Sequence, residues 1–170
     1  MTDSVLVAYA SPGGSTREVA EAVAEVLRSR GLRVDVTPME QVKSAADYNA
    51  VVLGAPIYNT LWHQTALKFV ADQISALVSR PVAIFALGPV QKGAPQEFTN
   101  AGKQLEISLR RFPTLKPVDL QIFGGKMKAT DSGFPLNLLF KPTPAVDFRD
   151  WDTIRAWANS LPDVLQIARS

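Results

Sequence analysis

Five short apolar runs separated by stretches with helical spacing restrict this chain more than any other feature. Residues 4–9 (SVLVAY), 32–36 (LRVDV), 50–53 (AVVL), 81–87 (PVAIFAL) and 119–123 (DLQIF) read as strands bounded by turn residues. The first, after Ser4, and the third are apolar runs, as expected of strands covered on both faces, whereas 32–36 alternates. Between them, Val19, Val23 and Leu27 predict a helix over 15–30, stopped by Gly31. Leu67, Val70, Ile74 and Leu77 predict another over 62–78, and further helices are expected over 96–110 and 151–168. Pro38 should end the second strand, Gly54 the third, and Gly88 with Pro89 the fourth. Strands alternating with helices imply an α/β fold: a parallel sheet reached by right-handed crossovers and layered by helices on both faces. In such a sheet ligands bind beyond the carboxyl ends of the strands, where the winding reverses. That rule selects three loops: 11–16 (SPGGST), 55–62 (APIYNTLW) and 88–95 (GPVQKGAP).

A length of 170 residues suits one domain, 1–170, and no linker or repeat interrupts the pattern. The absence of cysteine excludes disulfides, thiolate metal sites and a cysteine nucleophile, and fits a cytoplasmic setting. No apolar run approaches the roughly 18 residues of a membrane span, and the first residues lack the basic region of a secretory signal. His63 is the single histidine, so neither a histidine metal cluster nor a histidine-based triad is expected, and an exposed place in a first helical turn suits it. Net charge is +2 without a dense basic stripe, so no nucleic-acid partner is expected.

The SPGGST loop has two readings. A helix N-terminus offers unpaired N–H groups and partial positive charge, and glycines let that backbone approach a phosphate while Ser11, Ser15 and Thr16 add hydroxyls. Alternatively Ser15-x-x-Glu18 is a capping box that satisfies the helix by itself. The loop is not a P-loop, since no Gly-Lys-Ser/Thr follows, and it lacks the G-x-G-x-x-G of dinucleotide sites. No Lys or Arg lies within 11–16, and Arg17 reads as a surface residue. Asp150 before Trp151 reads as an N-cap, and Trp151, Ile154, Trp157 and Leu161 as a core stripe.

Ser11-Pro12-Gly13-Gly14-Ser15-Thr16 after a first strand resembles the FMN phosphate loop of flavodoxins, (S/T)-x-T-G-x-T, with Gly13 in place of the middle Thr. VVLGAPIYN is similar to the flavodoxin third strand and first flavin-flanking loop, and FALGPV to the fourth strand and second flanking loop. The resemblance implies a three-layer, doubly wound sheet of five parallel strands in the order 2-1-3-4-5, binding one FMN. It assigns the cofactor to Ser11, Gly13, Gly14, Ser15, Thr16, Pro56, Ile57, Tyr58, Asn59, Trp62, Leu87, Gly88, Pro89 and Val90. Tyr58 would lie against the ring, Trp62 would cover its edge or pack in the core, and the peptide of Asn59 would face the flavin N5.

FGGKM, a short apolar stretch and DFRDWDTIRAWA resemble flavodoxin-domain proteins related to menaquinone-dependent protoporphyrinogen oxidase, with a compact intervening segment at 129–146. This implies an FMN-dependent oxidoreductase, its chemistry carried by the flavin and its acceptor small, a quinone being one candidate. The alternative is an electron shuttle between redox proteins. Shuttle flavodoxins are usually acidic, whereas this chain has a pI near 9.0. Without acid in the loop around Tyr58, the two flavin reduction steps are expected close together. The apolar stretch 134–140 would cover a sheet edge or a homodimer interface more readily than touch a membrane.

Overall fold

The computed structural model describes residues 3–88, 95–127 and 145–167. In chain order the elements are β1 (Ser4–Tyr9), α1 (Ser15–Ser29), β2 (Arg33–Pro38), β3 (Ala50–Tyr58), β4 (Leu61–Trp62), α2 (Gln64–Val78), β5 (Val82–Leu87), α3 (Pro95–Leu109), β6 (Asp119–Phe123), β7 (Lys126–Met127), β8 (Val146–Asp147) and α4 (Trp151–Val164). Two short 3₁₀ turns, Met39–Gln41 and Ala45–Asp47, join β2 to β3.

β2, β1, β3, β5 and β6 lie side by side in that order and run parallel, which is the expected 2-1-3-4-5 winding. Alternation along β1 divides the core. Val5, Val7 and Tyr9 meet Val19, Val23 and Leu27 of α1 and Ile154, Trp157 and Leu161 of α4. Leu6, Ala8 and Ala10 join the other face, with Ala66, Phe69 and Val70 of α2 and Leu105 of α3. Every residue of β1 and β5 is buried, because helices cover both sides. Edge strand β2 exposes Arg33 and Asp35 and tolerates its terminal Pro38.

Three expectations change. The last helix ends at Val164, with Gln166 at positive φ just beyond it. Gly54 does not close the third strand, which runs on to Tyr58. A Cβ at Gly54 would lie 2.0 Å from the Phe85 ring, so the glycine admits that ring into a cluster with Phe123 and Trp157. The second long helix starts at Gln64, not Trp62, because residues 61–62 pair back onto β3. His63 becomes its N-cap, half-buried, its Nδ1 accepting from the N–H of Thr65 at 3.2 Å. The N-cap at Asp150 forms as read, Oδ1 accepting from the N–H groups of Asp152 and Thr153. No described helix is long and apolar enough to cross a membrane. The stretch 134–140 lies outside the described residues.

Candidate functional site

Winding reverses at β1, which has β2 on one side and β3 on the other. Beyond the carboxyl ends of β1, β3 and β5 opens a cavity of about 1060 Å³. Its walls come from the loop at 12–16, the turn at 56–60, Leu87 and Gly88, one stripe of α3, and residues 125–127.

The first wall begins at Gly14, the N-cap of α1, with φ 87° in the left-handed region that glycine adopts freely. Having no side chain, Gly14 makes no cap hydrogen bond of its own. Ser11 Oγ accepts from the Arg17 N–H at 3.0 Å, and among the described residues no side chain accepts from those of Ser15 and Thr16. The capping-box reading is therefore corrected. Ser15 is the first helical residue, and Glu18 turns its carboxylate to the guanidinium of Arg149 instead of to the backbone. A charge-assisted bond to arginine outcompetes a backbone donor.

Thr16 is 1% exposed, lines the cavity, and its Oγ1 has no hydrogen-bond partner among the described residues. An unpaired buried hydroxyl costs about 1–3 kcal/mol, so such groups usually have a partner. A phosphate oxygen at the start of α1 would supply it. Hydroxyl, glycine N-cap and open helix end thus fit the terminal phosphate of FMN, and no second cradle of this kind stands among the described lining residues for another phosphate.

The second wall is a hairpin. β3 turns through Asn59 (φ 47°) and Thr60 (φ 67°) and returns as β4, with Ile57 opposite Trp62 and Tyr58 opposite Leu61. Positive φ at both turn residues marks a type I′ turn, at home for Asn but strained for a branched Thr. Its base is clamped. The Trp62 N–H donates to Ser108 Oγ at 2.9 Å, Trp62 Nε1 to the Ala55 carbonyl at 3.2 Å, and the His63 N–H to the Pro56 carbonyl at 3.0 Å. Trp62 is wholly buried and lines no part of the cavity, so core packing, not cover for a ring edge, is its place. Tyr58 lines the cavity at 54% exposure, its ring edge-on to His63.

Of the residues singled out from sequence, Gly13, Gly14, Ser15, Thr16, Pro56, Ile57, Tyr58, Asn59, Leu87 and Gly88 line one cavity. Ser11 does not line it and braces α1 from outside. Pro89 and Val90 lie outside the described residues. Two contributions were missed. Glu97, Asn100 and Gln104 present a polar stripe from α3, a helical spacing visible in sequence once that face is known to meet a ligand. Lys126 and Met127 arrive from the β7–β8 ribbon; they end the FGGKM stretch, whose resemblance does not by itself place them at a ligand.

That ribbon anchors Arg149, whose side chain is 3% exposed. Its Nε and Nη2 donate to the two carboxylate oxygens of Asp147 at 2.9 and 2.7 Å, and its Nη1 to Glu18 and to the Ser15 carbonyl at 3.3 Å. The guanidinium lies 4.7 Å from the Trp151 ring centroid. This fork holds the Asp147 carboxyl down at about 2 and also lowers that of Glu18. Lys126 Nζ reaches the same Glu18 oxygen at 4.0 Å.

A family model described as "Flavodoxin domain" matches residues 6–134. A curated Escherichia coli (strain K12) protein, "Protoporphyrinogen IX dehydrogenase [quinone]", is 29% identical over 106 residues, covering 59% of each chain. This chain thus spans about three fifths (59%) of the length of the curated relatives it matches. Among solved structures, a flavodoxin from the domain Archaea superposes with a TM-score of 0.57 at 17% identity, over 96% of this chain and 99% of its own. A putative flavoprotein from Bacteroides eggerthii gives 0.56 at 18% identity, over 98% and 100%. At those identities the structural likeness speaks for the fold alone.

Proposed function

The chain belongs to the flavodoxin-domain family, and from that premise we propose that it holds one FMN in this cavity and passes electrons from a redox donor to a small acceptor. A quinone is the acceptor class in the printed name of the Escherichia coli relative. The observation that carries the reading is Thr16 Oγ1, buried and without a partner among the described residues, at a helix start where no described side chain accepts from the N–H groups of Ser15 and Thr16.

The chemistry FMN supplies when bound is electron uptake and release at its ring system, so no protein side chain need react. The chain's own groups bind and orient. Thr16 Oγ1 and the N–H groups of Ser15 and Thr16 would hold the phosphate, and the missing side chain at Gly14 leaves the backbone accessible to it. Tyr58 on one side and Leu87 with Gly88 on the other would flank the ring and keep water from it. The Asn59–Thr60 turn would present its peptides to the ring edge. Glu97, Asn100 and Gln104 would offer hydrogen bonds to an acceptor on the α3 side.

A protein-to-protein shuttle is the second reading, and the half-exposed Tyr58 favours it as a docking surface. Net charge of +2 weighs against steering towards a basic reductase. An absorption spectrum of the purified protein, with chemical identification of the extracted cofactor, tests the first step. FMN at one per chain is expected; FAD, or a chain that neither carries nor takes up flavin, would contradict it. Re-oxidation of the reduced protein by a soluble quinone, in the absence of any partner protein, then separates oxidoreductase from shuttle.

A further inference from the structure

We propose that Arg149 is the positioning residue of the phosphate end: it pins and neutralises Glu18, a carboxylate on the cavity wall that would otherwise repel the dianion. This rests on the FMN reading above. Glu18 lies in the first turn of α1 and lines the cavity together with Thr16. An unneutralised carboxylate there opposes the helix end, because it offsets the partial positive charge that makes the site.

The structure surrounds Glu18 with cations. Arg149 Nη1 donates to its Oε2, and Lys126 Nζ stands 4.0 Å from the same oxygen. Asp147 completes the group, so two carboxylates face two cations and the wall is electrically balanced. Removing Arg149 leaves an excess negative charge beside the phosphate; removing Glu18 leaves an excess positive one.

Stability is a poor reason for the arrangement. Burying a guanidinium costs desolvation that its partners only partly return, and well-packed apolar groups often do as well. Yet Arg149 is nearly inaccessible and reaches 131 residues along the chain to Glu18 and 134 to the Ser15 carbonyl. Its fork is rigid, so it fixes where the Glu18 carboxylate points as well as cancelling its charge. The loop at 11–16 carries no cation of its own. The cation comes instead from the other end of the chain and stands behind the loop.

A clamp and an electrostatic device predict different ratios. Dissociation constants for FMN and for riboflavin, which lacks the phosphate, are measured by fluorescence quenching on the 170-residue chain stripped of endogenous flavin. Arg149→Met should cut the preference for FMN over riboflavin about tenfold, more at low salt than at high. Glu18→Gln, at a carboxylate 53% exposed and needing no repacking, should raise the preference about threefold. The double variant should return close to the wild-type ratio. An unchanged ratio in Glu18→Gln, or a fall, overturns the inference even if Arg149→Met does not fold. A wild-type chain with no preference for FMN would overturn the phosphate reading and this inference together, whereas a preference that neither variant moves overturns the inference alone.

Discussion

The two ends of the cavity are made differently. At the phosphate end, a glycine N-cap, an orphaned hydroxyl and a buried guanidinium create an electrostatic site from residues at 14–18, 126 and 147–149. At the hairpin end, position is set by backbone: two positive-φ residues on a base clamped by Ser108 and by the carbonyls of Ala55 and Pro56. Electrostatic sites discriminate ligands by charge, while backbone frames fix geometry for whatever enters. Mutations at the first end should therefore separate FMN from riboflavin, and mutations at the second should treat both alike.

Asp147→Ala should have the greatest effect on stability. It strips the bidentate acceptor from a guanidinium 3% exposed, at a cost of about 2–3 kcal/mol in urea denaturation. A cost under half of that would mean the ribbon is not what holds Arg149. Next comes Ser108→Ala, which leaves the buried Trp62 N–H unsatisfied at about 1–3 kcal/mol. FMN and riboflavin should weaken by equal factors in this variant. A loss confined to FMN would erase the distinction between the ends.

Acid should act on the phosphate end first. Asp147 and Glu18 have carboxyls held below their ordinary values by Arg149, so their stabilisation is complete above the unfolded-state range near pH 4. It is lost as pH falls through the folded value, about 2 for Asp147. With that carboxylate 40% exposed, screening limits its share to roughly 1 kcal/mol. Comparing wild type with Asp147→Asn at pH 5 and pH 2 should show the difference shrinking with acid. The smallest effect belongs to the turn: Thr60→Gly should stabilise the chain by about 0.5–1 kcal/mol, because glycine accepts φ 67° and a branched side chain does not. Destabilisation would mean that Thr60 makes a contact that compensates its strain.

The same contrast explains what could be read before folding. β1 and β6 have the bounds that their residue patterns indicated: the buried β1 leaves an apolar run after Ser4, and the half-buried β6 a short run with Leu120, Ile122 and Phe123. The loop residues from Gly13 to Thr16 and from Pro56 to Asn59 line the cavity because strand ends place them there. The hairpin at Asn59–Thr60 leaves little signature in the sequence, because its second turn residue is Thr instead of Gly and the helical spacing extends over Trp62. Arg149 was invisible for another reason. A pairing across 131 residues has no period and no spacing, and it overrode the one local signal present, Ser15-x-x-Glu18. Local chemistry was legible where backbone decides the structure, and misleading where a distant charge does.

Thr16→Val addresses the phosphate site most directly, because it replaces an orphaned hydroxyl by a methyl of nearly the same shape. Urea denaturation of the flavin-free chain and titration with FMN and riboflavin are measured side by side. The flavin-free protein should become more stable, by about 1 kcal/mol, since a buried unsatisfied group has been removed. FMN should bind more weakly by about 1–3 kcal/mol while riboflavin is unaffected. Unchanged FMN affinity, or equal losses for the two flavins, would show that Thr16 does not hold a phosphate and that the cavity's charged end serves something else.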